Sequence, residues 1–204
     1  NLDFLLIYRP WLGRAVTVRE LREIAEAITR RYHEDGYFLS NAILPAQDIA
    51  FGVVRIRVIE GHVGNWRYAD DAPPDALVDG TLQPALAQRP LRRAALVSAL
   101  KRVNTIPGLT VTPELRALPR TPGVYELVLA AQTRRFEGGI SIDNRGSELI
   151  GPLRAVATLR AHGLVGGHES LQLKLATAAE SEELRYAEVS GEWLLGTQGL
   201  RLEL

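Results

Sequence analysis

The 204-residue sequence contains no cysteine and no methionine, and lysine occurs only at Lys101 and Lys174. The absence of cysteine excludes disulfide scaffolds, thiol catalysis and cysteine-ligated metal sites. Because methionine is absent, we expect that Asn1 is not the encoded start and that the chain is a processed or trimmed product.

An excess of charge of one sign is also absent, since 24 Lys and Arg residues balance 24 Asp and Glu residues. A neutral chain lacks the basic surface that phosphate backbones require, so we expect no nucleic-acid partner. No apolar run exceeds five residues, whereas a membrane-spanning helix needs about 20. The overall composition is that of an ordinary globular chain.

The first third of the chain predicts one amphipathic helix followed by two strands. Thr17 and Glu20 have the spacing of a capping box, which marks a helix start. The apolar residues behind it recur with a helical period: Leu21, Ile24, Ala25, Ile28 and Tyr32. Gly36 stands where a left-handed helix cap is expected, and residues 37–44 and 53–59 then have the composition and alternation of strands.

The same order then recurs, which predicts a second copy of one small module. Residues 63–68 form a strand, helices begin near Pro73 and Pro90, and residues 109–118 and 124–133 form strands. Gly36 and Gly108 mark equivalent points of the two copies. The first copy has no counterpart of the strand at 63–68, so we expect its opening strand to be missing.

After Phe136 the helical period disappears and short segments alternate apolar with polar residues. Segments of about ten such residues joined by Gly-rich turns indicate consecutive antiparallel strands. This period fits a soluble sheet or a membrane barrel, and on period alone it favours the soluble sheet, because the signal of each barrel strand is weak. Four or five strands cannot close a barrel, because bacterial barrels have at least eight.

Motifs of conventional active sites are missing from the sequence. There is no phosphate-binding loop, no dinucleotide fingerprint and no Gly-x-Ser-x-Gly elbow, and the four histidines lack metal-ligand spacing. We interpret His168-Glu169 and Asp143-Asn144 as solvated turn residues rather than metal ligands. We therefore expect no catalysis, no metal, no nucleotide and no other cofactor.

Four blocks of sequence carry a resemblance to a known family. Residues 28–38, 44–49 and 52–61 together resemble a POTRA module of the two-partner secretion transporters (TpsB proteins), which export haemolysins and filamentous adhesins. Residues 104–109 resemble the matching stretch of the second POTRA module. Residues 142–147 with Gly151, and residues 196–202, resemble the barrel entry and a later barrel hairpin.

The resemblance has departures and omissions. Leu194 stands where the family has proline, and His168 stands where it has aspartate. The plug helix, most barrel strands and the loop with the Arg-Gly-Tyr/Phe motif have no counterpart here. The resemblance therefore implies a receptor portion with the first barrel strands, which cannot form a pore alone.

The implied fold class is α+β: tandem POTRA modules (β-α-α-β-β) followed by antiparallel strands of a truncated transmembrane β-barrel. We expect module 1 at 1–61 without its opening strand, module 2 at 62–136 and barrel strands at 137–204. The implied location is the outer membrane of a Gram-negative bacterium, with the POTRA modules in the periplasm. The implied partners are a secreted exoprotein in extended form and outer-membrane lipid.

Each module is expected to offer an unpaired strand edge beside a shallow apolar groove, to which an extended client adds as a strand. The candidate edges are residues 37–44 and 109–118. The residues expected to touch a client are Tyr37, Phe38, Leu39, Asn41, Ile43, Leu109, Val111 and Leu115. The residues expected to support the family motifs structurally are Gly36, Pro45, Gln47, Glu60, Gly61, Pro107, Gly108, Asp143, Asn144 and Gly146.

Two alternatives remain open from the sequence. One is an outer-membrane protein insertase of the related superfamily, which also uses POTRA modules. The other is a soluble periplasmic α+β binding protein or enzyme. A sheet after Phe136 with apolar side chains on one face only would favour the membrane interpretations. We also expect the cut barrel strands to self-associate through their open edges.

Overall fold

A computed structural model of the protein describes residues 4–49, 51–69, 74–144, 153–165, 167–178 and 185–204. Gly146 and Gly151, which the family resemblance singled out, lie outside the described residues. The chain packs as two compact units. The first comprises Asn1–Pro73, Leu82–Leu100 and Pro113–Ala130, and the second comprises Pro74–Thr81, Lys101–Thr112 and Ala131–Leu204.

The helices lie in the first half of the chain. They are α1 (Leu5–Tyr8), a 3-10 turn (Arg9–Trp11), α2 (Val18–Glu34), α3 (Ala76–Leu86) and α4 (Arg93–Val103). None of the helices in the described ranges is both long enough and apolar enough to cross a membrane.

The strands among the described residues range from three to eleven residues in length. They are β1 (Asn41–Ile43), β2 (Arg57–Ile59), β3 (His62–Tyr68), β4 (Leu109–Ala117), β5 (Val124–Thr133), β6 (Phe136–Asp143), β7 (Arg154–His162), β8 (Glu169–Ala178), β9 (Arg185–Leu195) and β10 (Leu200–Glu203). They form three sheets, with the orders β1-β2, β3-β5-β4 and β10-β9-β8-β7-β6. Strand β3 runs parallel to β5, whereas β1-β2 and the five-stranded sheet are antiparallel.

This order confirms the expected fold class. Elements β3-α3-α4-β4-β5 form a complete β-α-α-β-β module, and α2-β1-β2 repeats its latter part. The antiparallel sheet that begins at Phe136 follows directly. The change from helical to two-residue period in the sequence therefore coincides with the change in architecture.

Helix α2 forms as its sequence predicts. The Thr17 hydroxyl accepts a hydrogen bond from the Glu20 N–H, and the Glu20 carboxylate accepts one from the Thr17 N–H at 2.7 Å. These reciprocal bonds satisfy two N–H groups that a helix start otherwise leaves unpaired. The bond from the Thr17 main chain lowers the pKa of Glu20 below its ordinary value. The buried residues of α2 are the five predicted ones: Leu21, Ile24, Ala25, Ile28 and Tyr32.

The predicted strand at 37–44 is wrong in its first half. Gly36 is left-handed at φ +89°, and the Tyr37 N–H bonds the Tyr32 carbonyl at 2.8 Å, which closes the helix end. The Ser40 N–H then bonds the Tyr37 carbonyl at 3.0 Å. The chain therefore continues to turn through Ser40, and the strand begins only at Asn41.

The predicted strand at 53–59 is also shorter, since its paired part is Arg57–Ile59. Its antiparallel partner β1 is followed by Pro45, which has no N–H to donate to a ladder. The side-chain amide of Gln47 bonds the main chain of Arg55 instead, accepting from its N–H at 2.8 Å and donating to its carbonyl at 2.8 Å. Gln47 thus pairs the main chain at Arg55, two residues before β2 begins.

Replacing Thr17 with alanine tests the cap of α2. We expect Thr17→Ala to lower the free energy of unfolding by about 1 kcal/mol, because one helix N–H loses its acceptor. Urea unfolding followed by far-UV circular dichroism measures the change.

Thr17→Ser is the control, since it keeps the hydroxyl and is expected to stay close to the wild type. Because the folded-state pKa of Glu20 is lowered, its contribution is present above the ordinary carboxyl pKa and is lost as pH falls through the lowered value. A Thr17→Ala protein as stable as Thr17→Ser at neutral pH would contradict the cap.

Candidate functional site

Tyr37 and Phe38, two predicted client contacts, are engaged by arginines at the start of α4. The Tyr37 hydroxyl accepts hydrogen bonds from Nε and Nη2 of Arg92 at 3.1 and 2.9 Å. The Arg93 guanidinium lies 5.3 Å from the centre of the Phe38 ring, within the range of a cation–π contact. The two rings therefore connect the turn after α2 to the beginning of α4. Their contact with a client stays a prediction.

Gly61 and Leu39 are in close main-chain contact beside this connection, and we call their contact the Gly61 junction. A Cβ atom on Gly61 would lie 2.3 Å from the Leu39 carbonyl oxygen, so only glycine fits. The Gly61 N–H donates to the Ser40 hydroxyl at 3.0 Å, and the Gly61 carbonyl accepts from the Leu91 N–H at 2.9 Å. The predicted motif residue Gly61 thus permits a close main-chain approach that a larger residue would prevent.

Glu60 connects the Gly61 junction to α2 by a hydrogen bond. Its carboxylate accepts a hydrogen bond from the Tyr32 hydroxyl at 3.0 Å. Burial, together with this bond to a negative acceptor, raises the pKa of Tyr32 to about 12. Tyr32 therefore remains a neutral donor at physiological pH.

The outer edge of β1 has its donor occupied. Asn41 and Ile43 lie opposite Ile59 and Arg57 of β2, and Ala42 between them directs its N–H to the Thr29 hydroxyl at 2.9 Å. Thr29 belongs to α2, on the side of β1 away from β2. Sequence reasoning missed Thr29, because a threonine within a helix gives no signal of its tertiary partner.

An apolar groove of about 450 Å³ lies between the N-terminal helices and residues 52–58. It is lined by Phe4, Tyr8, Trp11, Leu12, Gly13, Arg14, Val16, Leu21, Ile24, Ile28, Gly52, Val54, Ile56 and Val58. The predicted groove in the first module therefore exists, but it adjoins the second of the two predicted strands rather than the first. The comparable edge in the second module is covered by β3, which runs parallel to β5.

Strand β4 is the outer strand of its sheet, as an edge for strand addition requires. Of the three predicted contacts, Leu109 and Leu115 are half-buried and Val111 is buried. Pro107 and Gly108 precede the strand, and Gly108 has φ +69°. A Cβ atom on Gly108 would lie 2.6 Å from the Arg134 carbonyl oxygen, which accounts for glycine there.

The five-stranded sheet has one apolar and one polar face. Its pairing brings small and apolar side chains into line on one side: Phe136, Gly138, Ile140, Ile142, Ala155, Ala157, Leu159, Ala161, Leu171, Leu173, Leu175, Ala187, Val189, Gly191, Leu200 and Leu202. The apolar face is exposed, with Ile140 81% and Val189 76% accessible. An exposed apolar face of this kind is typical of a surface that contacts a membrane or another protein.

The opposite face carries residues that bond one another. Arg160 donates to Gln172 at 2.7 Å, Tyr186 donates to Glu188 at 2.8 Å, and Arg201 pairs with Glu192. The predicted motif residue Asp143 accepts from Arg154 at 3.0 Å. Asn144 follows at the bend after β6. This face is suited to water.

Glu169 is not the solvated turn residue that the sequence suggested. It is 1% exposed, and its carboxylate accepts hydrogen bonds from the N–H groups of Val165 and Gly167 at 2.6 and 3.1 Å. Its neighbour His168 lies 3.3 Å from the carboxylate of Asp75. These residues fasten the turn between β7 and β8, and within the described ranges no group of acidic residues and histidines could hold a metal ion.

Comparison with known proteins identifies the first module. Residues 1–61 match the family described as POTRA domain, ShlB-type. These residues are therefore similar to that POTRA family. The family resemblance seen in the sequence is confirmed by relatives over most of the chain.

Two such relatives are transporters. The heme/hemopexin transporter protein HuxB of Haemophilus influenzae is 25% identical over 86% of this chain and 31% of its own length. The outer membrane transporter CdiB of Dickeya dadantii is 24% identical over 91% of the chain and 34% of its own length. The chain thus spans about a third of the length of these relatives.

Solved structures share the fold. CdiB from Escherichia coli superimposes with a TM-score of 0.71 at 22% identity, over 93% of this chain and 36% of that one. BamA from Haemophilus ducreyi, lacking POTRA domains 1–3, matches with a TM-score of 0.52 at 18% identity, over 100% of this chain and 40% of that one. The fold of this chain is thus found in solved structures.

Replacing Gly61 with alanine tests the close main-chain approach at the Gly61 junction. We expect Gly61→Ala to lower the free energy of unfolding by about 1–3 kcal/mol, because the new methyl group forces main chain apart. Urea unfolding measures the change. Gly139→Ala is the control, since the nearest atom to its Cβ position is 3.8 Å away. Equal effects of the two substitutions would contradict the packing described.

Proposed function

We propose that this chain is the periplasmic receptor portion and the first membrane strands of a two-partner secretion transporter. The observation that carries the proposal is the exposed apolar face on one side only of the sheet that follows the POTRA modules. Strands β7 to β9 have 9, 10 and 11 residues, the length that a tilted strand needs to cross a bilayer.

The proposed division is module 1 at 1–61, module 2 at 62–136 and membrane strands at 137–204. The modules lie in the periplasm of a Gram-negative bacterium, and the sheet lies in its outer membrane with lipid against the apolar face. Phe136 and Trp193 stand near the ends of β6 and β9, where aromatic residues border the membrane in barrels. The role is transport without catalysis.

The proposed partner is a large secreted exoprotein, captured while extended. Strand addition uses main-chain hydrogen bonds, so it accepts varied client side chains. That tolerance suits a receptor that handles a long unfolded polypeptide. No nucleotide drives the step in this proposal, and folding of the client outside the cell gives the transport its direction.

The fold likeness to BamA keeps an insertase in view as the second candidate. An insertase receives many unrelated barrel precursors, whereas a two-partner transporter receives one exoprotein. The soluble α+β alternative lacks support, because a soluble sheet does not leave residues such as Ile140 and Val189 exposed on one face.

Arginine scanning across the sheet tests the membrane face. We expect Ile140→Arg to weaken flotation of the chain with phosphatidylethanolamine vesicles by at least tenfold, because an arginine on the lipid side costs about 2–4 kcal/mol at mid-depth. Ser141→Arg, its neighbour on the polar face, is expected to stay within about twofold of the wild type. Without lipid or detergent, we expect the wild type to self-associate in sedimentation velocity. Equal flotation of the two variants would contradict the assignment.

Capture from periplasmic extract of the source bacterium tests the client class. We expect the immobilised full chain to enrich one very large secreted protein, identified by mass spectrometry. Enrichment of many outer-membrane barrel precursors would replace the proposal with the insertase function. A chain unfolded in urea and coupled in the same way controls for adhesion to exposed apolar residues.

A further inference from the structure

The outer edge of β4 can be identified residue by residue. The Leu118 N–H bonds the Val124 carbonyl at 3.0 Å, and the Arg134 N–H bonds the Gly108 carbonyl at 2.7 Å. Both pairs fit one antiparallel register with β5, in which the even-numbered residues of β4 direct their main-chain groups to β5. The odd-numbered residues therefore direct theirs outward, because these directions alternate along a strand.

The outward groups of Val111 are both occupied by Asn104. The Val111 N–H donates to Asn104 Oδ1 at 2.7 Å, and Asn104 Nδ2 donates to the Val111 carbonyl at 3.2 Å. The side-chain amide thus makes the two bonds that an added strand would make. Val111 is only 3% exposed as a result of its position in the core and this cover.

Asn104 is held in place by the end of α4. It directly follows Val103, the last residue of that helix. The next two N–H groups, of Thr105 and Ile106, bond the carbonyls of Arg102 and Val103 at 3.0 Å each. The amide is therefore presented by an ordered turn and not by a freely moving loop.

Two further outward positions in the first half of β4 lack a free donor. The Leu109 N–H bonds the Ile106 carbonyl at 3.2 Å, and Pro113 has no N–H. Among the described residues, the N–H groups of Leu115 and Ala117, the last two outward positions of β4, make no hydrogen bond. The strand is thus closed at its beginning and open at its end.

We infer that Asn104 sets the register of strand addition on β4, so that an extended client pairs with Leu115 and Ala117 and is kept from Val111. This inference rests on the proposed function. Asn104 acts as a positioning residue, because it occupies the main-chain groups of Val111 and thereby directs the client to another part of β4. Asn104 itself need not touch the client. Two of the three predicted client contacts on β4, Leu109 and Val111, then lie outside the paired segment.

Disulfide trapping tests the register, because the chain has no cysteine of its own. Thr110→Cys and Arg116→Cys place single thiols on exposed positions beside the closed and the open part of the edge. The probe is the synthetic peptide acetyl-Thr-Val-Thr-Cys-Thr-Val-Thr-amide, which favours the extended conformation. We expect the fraction cross-linked under glutathione redox buffer to be about tenfold higher for Arg116→Cys, the change that one hydrogen bond of ordinary strength gives.

Removing the amide is expected to abolish the difference. In an Asn104→Ala background, cross-linking of Thr110→Cys should rise to within about twofold of Arg116→Cys. Asn104→Asp is the matched control: its carboxylate still accepts the Val111 N–H, so cross-linking of Thr110→Cys should stay low. Amide exchange of Val111 gives a second measurement without the probe, with faster exchange expected in Asn104→Ala than in Asn104→Asp.

The outcomes separate the inference from the function on which it rests. Equal cross-linking of the two thiols with Asn104 intact, or no rise at Thr110→Cys after Asn104→Ala, would overturn the inference and leave strand addition standing. Absence of cross-linking at both positions in every background would overturn strand addition to β4, and the inference with it.

Discussion

Open sheets impose the constraint on which this structure depends. Every sheet with two edges presents N–H and C=O groups that water, a side chain or another strand must satisfy. In the POTRA modules several of these groups meet polar side chains from the same module: Thr29 bonds Ala42, and Gln47 bonds Arg55. A receptor that binds by strand addition, as we propose for this chain, has to leave part of an edge open, and among the described residues of β4 only the end of the strand is open.

The five-stranded sheet differs from the modules in which of its groups remain without a partner. Its groups are paired from β6 to β10, while its apolar face remains uncovered. Neighbouring strands cannot shield apolar side chains such as Ile140 from water, because the side chains of its partners on β7 lie on the same face. The modules thus leave main-chain groups unpaired at strand edges, whereas the five-stranded sheet leaves apolar side chains uncovered on one face. Under the proposed function, a client strand would pair with the edges and lipid would cover the face.

The sequence was informative where local chemistry decides the structure. The capping box at Thr17 and the apolar period behind it predicted α2, and strict alternation predicted the two-faced sheet. It was less informative where tertiary contacts decide. The residues at 37–40 have strand composition, yet the Gly36 helix end and the Arg92 contact hold them in a turn. The sequence did not indicate the main-chain partners of Asn104 and Glu169, because the spacing of a side chain and a distant main-chain group follows no period.

Weak binding is the physical consequence of an edge that is mostly closed. Leu115 and Ala117 together offer four main-chain groups, and each hydrogen bond contributes about 0.5–1.5 kcal/mol net. Ordering an extended client opposes much of that gain. A fully open β4 would hold a client longer, and it would also pair with other edges and aggregate. A receptor that must pass its client onward needs capture that reverses quickly. Under the function proposed here, the closed half of β4 would therefore contribute to transport as directly as the open half.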